Sequence, residues 1–196
     1  MTPPSPKVFD PAKAARLDDP DRLAYLGIND VERALDIPRA GIVLDYGAGT
    51  GFFALPLAER RRDITVIAFD REPKLLEILR AKPPYAKLAG RVRTASPSGL
   101  PNVAGRCARV LLVNVLHELE DEHLDEIREA LAPDGFAVAI DWDAAADRPI
   151  GPRGDHVLDA PRAALYLCRR GFTVEALPPF RYQFALRFRP SATSRV

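Results

Sequence analysis

The sequence predicts an α/β fold, a doubly wound, mostly parallel sheet that ends in an antiparallel hairpin. Three observations carry that prediction. Short apolar runs alternate with helical patterns, as in a parallel sheet covered on both faces. A glycine-rich loop joins the first run directly to a helix. The last two strand patterns are joined only by Pro178-Pro179, too short for a crossover helix, so that pair must be antiparallel.

The elements follow in order. Residues 1 to 8 are Pro-rich and loose by composition. Asp10 to Leu35 is helical in pattern, broken at Pro11, Pro20 and Gly27. Asp19 or Asp21 can cap a helix there, and Val31, Ala34 and Leu35 sit at helical spacing. Residues 1–39 are therefore expected to form a helical extension or lid, 40–189 the sheet domain and 190–196 a tail. Gly41 to Asp45 is a buried strand and Phe52 to Arg62 a helix. Ile64 to Phe69 is a strand rich in β-branched residues. Pro73 opens a helix through Leu75, Leu76 and Leu79. Arg91 to Thr94 is a weak strand and Arg109 to Asn114 a buried one. Asp121 to Leu131 is an amphipathic helix, Pro133-Asp134-Gly135 a turn, and Phe136 to Asp141 the fifth strand. Asp159 caps a helix that Gly171 stops. Phe172 to Leu177 is the sixth strand. From Phe180 to Arg189 apolar and polar residues alternate strictly, the period of a half-exposed strand. Five parallel strands and a hairpin make seven.

Composition bounds the function. A chain of 196 residues suits one domain, and 47% hydrophobic residues suffice for a core without staples. With 28 basic against 27 acidic residues, no global field draws in nucleic acid or anionic lipid. The 23 Arg against 5 Lys are scattered, which reads as composition bias. Cys107 and Cys168 are too few for a disulfide scaffold and read as reduced thiols; no His/Cys spacing suggests a metal. No apolar run reaches the ~20 residues of a membrane span, and the start lacks a signal-peptide pattern. The expectation is a soluble, cytoplasmic protein whose oligomeric state the sequence leaves open.

The chemistry centres on Asp45-Tyr46-Gly47-Ala48-Gly49-Thr50-Gly51. Glycines let the backbone turn tightly and lie close to a ligand. Gly49 to Ala54 also fits G-x-G-x-x-A, the dinucleotide form, so an NAD(P)-binding oxidoreductase is a competing reading. Asp70 ends the second strand 19 residues beyond Gly51, where either cofactor places an acid on ribose hydroxyls. Asp45 discriminates: an acid there repels a pyrophosphate but suits a cationic methionine moiety. S-adenosylmethionine fits better than NAD.

The pattern D-x-G-x-G-x-G resembles motif I of the class I S-adenosylmethionine-dependent methyltransferases. Asp70, the segment Asn114 to Leu119, Leu131-Ala132-Pro133-Asp134-Gly135 and the terminal hairpin follow that family's order. Phe9-Asp10-Pro11 with Arg16-Leu17-Asp18 is similar to small members near the ubiquinone/menaquinone (type 11) group. The resemblance implies a Rossmann-like methyltransferase fold, and a cofactor site with Asp45, Gly47, Gly49 and Gly51 along the methionine and ribose and Tyr46 among the cofactor-binding residues. Asp70 would hold the ribose hydroxyls, Arg71 would flank the adenine and Asn114 would face the methionine end. Ser96 stands where relatives place an adenine-binding acid, and Arg109 where they often carry an acid before the fourth strand; the latter reads as a surface or loop difference. His117 is the candidate general base. Its plainer reading is structural packing, as Asp70 read plainly is a helix cap. His123 and the acidic run Glu118 to Glu129 read as solvated. His156 and Trp142 are placed to reach an acceptor or to be surface and core edge. The short chain outside the sheet implies a small-molecule methyl acceptor; a cofactor-binding protein without catalysis is the remaining alternative.

Overall fold

The computed structural model describes residues 11–88 and 90–192. The Pro-rich start, Phe9-Asp10 and the last residues of the tail lie outside the described residues.

Two 3-10 segments, Pro11–Asp18 and Pro20–Ala24, precede helix α1 (Ile28–Leu35). The Asp19 carboxylate caps the second of them, accepting from the Asp21 amide at 3.0 Å. The sheet then builds through β1 (Ile42–Tyr46), α2 (Ala54–Arg60), β2 (Thr65–Phe69), α3 (Pro73–Ala81), α4 (Pro83–Lys87), β3 (Val92–Ala95) and β4 (Cys107–Val113). It ends through α5 (Asp121–Ala130), β5 (Leu131–Trp142), α6 (Ala160–Arg169), β6 (Phe172–Leu177) and β7 (Gln183–Pro190). The strand order is β3-β2-β1-β4-β5-β7-β6. The first five strands pair in parallel, and β7 runs antiparallel between β5 and β6. This is the expected seven-stranded α/β architecture.

Period-two alternation along the strands feeds two cores. Val43 and Leu111 face one layer with Val31, Leu35, Leu57 and Leu79. Their neighbours Leu44 and Leu112 face the other with Phe69, Leu124, Ile127 and Leu167. Strands buried on both sides explain why their sequences are continuously apolar.

Three expectations need correction. Pro133-Asp134-Gly135 is no free turn: Leu131 already pairs with Cys107, and Phe136 with Arg109, so residues 132–135 bulge from β5 opposite Ala108 alone. Gly135 fits this bulge because a Cβ would meet the Cys107 carbonyl oxygen at 2.7 Å. β7 is half-exposed only from Arg187 onward, with Arg187 part-buried and Arg189 exposed. It lies inside the sheet, which buries Gln183 and Ala185 as well as Phe184 and Leu186. Arg109 is not a surface difference. Only 9% exposed, it donates from Nε to Leu35 O at 2.6 Å and from Nη2 to Asp36 O at 2.6 Å. It thereby satisfies carbonyls left over at the C-terminal end of α1, while its guanidinium stacks 3.8 Å from the Phe136 ring centroid. This one side chain ties α1 to the edge of β4.

Arg109→Ala is expected to lower unfolding stability by about 2–4 kcal/mol, through lost charged hydrogen bonds and stacking. Urea denaturation measures this; a change under ~0.5 kcal/mol would contradict the structural role.

Candidate active site

Strand order reverses between β1 and β4, so the loops after these strands diverge and leave a crevice at their C-terminal ends. The chain after β1 turns through Gly47 at φ 80° and Gly49 at φ 55°. Close approach matters at both: a Cβ on Gly47 would meet Val115 Cγ2 at 2.6 Å, and one on Gly49 would meet Leu17 Cδ1 at 2.9 Å. Gly51 serves helix packing, with Leu79 Cδ1 only 2.2 Å from where its Cβ would stand.

The loop is pinned to β2. Phe69 O accepts from the Gly47 and Ala48 amides at 2.9 and 2.8 Å. Asp70 Oδ2 accepts from the Gly49 amide at 2.8 Å, and its Oδ1 from the Glu72 amide at 2.9 Å. Asp70 thus closes a turn ahead of α3, whose N-cap is Glu72, and anchors the glycine loop. The N-terminal segment joins the same structure. Asp18 Oδ1 accepts from Thr50 Oγ1 and from Lys82 Nζ, each at 2.6 Å, and Lys82 Nζ also donates to Thr50 O at 2.7 Å.

A cavity of about 1060 Å³ occupies the crevice. Of the residues expected there, Asp45, Tyr46, Gly47 and Gly49 line it, as do Asp70, Arg71, Asn114 and His117. Gly51 and Ser96 do not. Gly51 is turned into the packing with α3, and Ser96 pairs its hydroxyl with Ser98 Oγ at 3.2 Å, away from the lining. Tyr46 OH donates to Glu126 of α5, and the same carboxylate holds Arg71 Nη2 at 2.6 Å. Burial, with the Glu126 carboxylate, raises the Tyr46 hydroxyl pKa.

Two oxygens in this lining are buried without partners among the described residues: Asp45 Oδ2 and Asn114 Oδ1. They stand at the ends of the paired strands β1 and β4, and Asn114 holds the left-handed backbone, φ 57°. Burial, reinforced by the Asp70 charge, lifts the Asp45 carboxyl to about 7, while the Ala54 amide and Arg22 pull it down. An isolated buried acceptor is costly, and a cation brought to Asp45 removes that cost.

His117 follows β4 in the 3-10 turn Leu116–Glu118. Its amide and its Nδ1 both reach the Asp141 carboxylate, at 2.8 Å each. That carboxylate, at the end of β5, also accepts from the Trp142 amide at 2.7 Å. The pair fixes the tautomer with the proton on Nδ1 and leaves Nε2 with a lone pair. Burial opposes the charged ring, yet Asp141 and Glu118 together raise its pKa.

Sequence reasoning missed some of these groups. Glu118 lines the cavity rather than facing solvent, and burial lifts its carboxyl to about 7. His123 also lines the cavity. It is no solvated residue but the return arm of the α5 capping box, its Nδ1 accepting from the Glu120 amide at 2.8 Å. Arg22 and Tyr25 enter the lining from the N-terminal segment, and Trp142 from β5. His156 stays outside, beside Asp155 at 3.5 Å. The signal for Asp141 was present, an acid at a strand end, but nothing local in the sequence pairs it with His117. Among the described residues no cluster suits a metal ion.

Residues 43–135 match the model of a family described as a methyltransferase domain. No curated protein matches the chain. Among solved structures, the chain is similar to an S-adenosylmethionine-dependent methyltransferase from Aquifex aeolicus, with TM-score 0.83 and 24% identity over 92% of this chain and 98% of that one. It is similar to a putative type 11 methyltransferase from Sulfolobus solfataricus, with TM-score 0.69 and 21% identity over 86% and 94% of the two chains. It is also similar to DhpI in its SAH complex, with TM-score 0.68 and 16% identity over 93% of each chain. At these identities the likeness establishes the fold.

Two outcomes follow for the acids. The folded-state pKa of Asp45, about 7, lies above its ordinary 3.8, so the folded protein holds the extra proton, and this site's stabilising share is lost as pH rises between those values. Asp45→Asn is therefore expected to stabilise the ligand-free protein near pH 8 by roughly 1–3 kcal/mol and to flatten this part of the pH profile; urea melts at several pH values measure it, and destabilisation at high pH would refute it. Asp141→Asn is expected to bring the His117 pKa down toward or below 6.5, read by NMR titration of the ring; an unchanged value would contradict the pairing.

Proposed function

We propose that the protein is an S-adenosylmethionine-dependent methyltransferase, of the type 11 kind, acting on a small-molecule acceptor. The observation that carries this reading is the pair of buried, unpartnered oxygens, Asp45 Oδ2 and Asn114 Oδ1, at the reversal point of the sheet. A pair of acceptors of that kind suits a ligand bearing ammonium and sulfonium groups. It does not suit a pyrophosphate, which would lie against the Asp45 carboxylate. The match of residues 43–135 to a methyltransferase domain and the methyltransferase neighbours support the same reading.

Asp45 and Asn114 would receive the methionine end, and Gly47 and Gly49 would let the ligand lie on the backbone. Asp70 has lone pairs left after its two amide bonds and would take the ribose hydroxyls. Arg71, steadied by Glu126, and Tyr46 would flank the adenine. Ser96 and Gly51 have no direct contact in this arrangement. When bound, the cofactor supplies a methyl group already activated on sulfur, so the chain's task is orientation, exclusion of water and proton handling. His117, oriented by Asp141, holds an acceptor lone pair at Nε2 toward the cavity and would take the acceptor's proton. Within residues 1–39, the stretch that brings Leu17, Arg22 and Tyr25 to the cavity would act as the lid, while α1 belongs to the core through Val31 and Leu35. Residues 40–189 are the catalytic domain, which the sheet extends to Pro190 through its pairing with Phe172, and a tail follows. No helix among the described residues is long and apolar enough to cross a membrane; with a net charge of +1 the proposal is a cytoplasmic enzyme without a nucleic-acid partner.

Calorimetric titration with S-adenosylmethionine and with its demethylated product tests this. Saturable binding is expected, weakened at least about tenfold by Asp70→Ala. Affinity should rise as pH passes upward through about 7, because the cation binds the ionised Asp45. No binding at millimolar ligand would remove the proposal.

A further inference from the structure

The cavity, at about 1060 Å³, lies at the top of the range of roughly 300–1,000 Å³ that small-molecule sites span, so a second ligand has room beside a cofactor. The part of the lining not assigned to the cofactor has an aromatic and apolar patch among its charged residues. Tyr25, Phe52, Trp142, Ile150 and Pro152 contribute to it. The Tyr25 and Trp142 rings stand 5.9 Å apart, and Gly151 backs the indole so closely that a Cβ would meet Trp142 Cε3 at 2.9 Å.

The polar groups are unbalanced. Of the three arginines in the lining, Arg16 is exposed on the N-terminal segment and the other two are already engaged. Arg71 pairs with Glu126 at 2.6 Å, and Arg22 donates to Leu17 O while lying 4.4 Å over the Phe52 ring. Asp70 and Glu72 already accept from backbone amides, and the lone pairs left on Asp70 are the ones assigned to the ribose. Glu118 differs. Its carboxylate has one charged neighbour within ion-pair range among the described residues, His117 Nε2 at 3.7 Å, too far for a hydrogen bond.

Asp141 occupies the Nδ1 side of His117, so neutral His117 presents an acceptor at Nε2. With His117 neutral and Glu118 ionised, Nε2 and Glu118 Oε1 are two acceptors side by side, lining one cavity; a proton held by either group near neutrality is what a bound cation displaces. A ligand carboxylate would repel them. A hydroxyl brings one hydrogen and satisfies one of them. An amine brings two or three.

We propose that the acceptor is a small amine with a flat, apolar body, and that Glu118 selects it. The amine bridges Glu118 Oε1 and His117 Nε2, and its body lies toward Tyr25 and Trp142. This rests on the methyltransferase reading above. The transfer balances: the ammonium loses one proton to His117 Nε2, the freed nitrogen lone pair forms the N–C bond to the methyl, and the C–S bond breaks with its electrons on sulfur. The products are an N-methylammonium, a neutral thioether and an imidazolium.

The test uses the full chain and begins with S-adenosylhomocysteine alone, by calorimetry. With that ligand saturating, phenethylamine, phenylethanol and phenylacetate are titrated against wild type and Glu118→Gln. Wild type is expected to bind the amine at least about tenfold tighter than the alcohol or the acid. Glu118→Gln should erase that preference while leaving S-adenosylhomocysteine affinity within about twofold. Equal binding of the three probes, binding of none, or an amine preference that survives Glu118→Gln overturns the inference. So does a tenfold loss of S-adenosylhomocysteine affinity in Glu118→Gln, which would assign Glu118 to the donor. Failure of wild type to bind S-adenosylhomocysteine removes the methyltransferase reading itself, and this inference with it.

Discussion

In a parallel sheet covered on both faces, strand ends are the places where polar side chains can gather without breaking a core, and a reversal of strand order is where neighbouring loops part to make room. The order β3-β2-β1-β4-β5-β7-β6 puts that reversal between β1 and β4, and the chemistry of the chain lies around it. Asp45 is next to last in β1, Asp70 follows β2, Asn114 follows β4 and Asp141 comes near the end of β5. The carboxylates come from strands and turns far apart in sequence, yet the registry of the sheet sets them around one crevice. Little of this depends on the loops being rigid in themselves. Asp70 borrows order from two backbone amides, and His117 borrows it from Asp141.

The same arrangement stores a conflict. Asp45 and Glu118 are carboxyls placed where burial resists their ionisation, and burial lifts both to about 7. A protein selected for stability alone would have replaced them with apolar or neutral residues. Keeping two strained acids next to an oriented imidazole leaves a site whose charge state changes near neutrality, so a cationic guest both finds partners and relieves the strain. The cost is not confined to the crevice, since the buried Gln183 amide and Arg187 Nε in β7 also lack partners among the described residues.

The fold was legible because its signals are local. The apolar strands, the Pro178-Pro179 joint, the Asp159 cap and the glycine loop each declare themselves within a few residues. What escaped depends on partners distant in the chain. Arg109 looked like a surface residue until the carbonyls of Leu35 and Asp36, 74 and 73 residues away, were beside it. The bulge at residues 132–135 is a property of pairing with β4, not of the Pro-Asp-Gly sequence, which by itself spells a turn. In the site, position was easier to read than company. Most residues named from the glycine motif line the cavity, but the pairing of His117 with Asp141 and the exposure of Glu118 to the cavity come from β4 and β5 lying side by side. Ser96 was placed by analogy of order along the chain, and there the short turn into Pro97 carries the side chain elsewhere.

The contact between Leu17 and Gly49 has a bearing on how substitutions in the glycine loop are understood. A missing side chain in such a loop is usually credited to the ligand that lies against it. Here part of the vacated space belongs to the protein's own N-terminal segment, which is also fastened through Asp18 to Thr50 and Lys82. Enlarging residue 49 would therefore displace Leu17 and loosen that fastening even in a protein holding no ligand. Loop and N-terminal segment form one mechanical unit, so lost activity in such a variant is a statement about the closure of the crevice as much as about the fit of what it encloses.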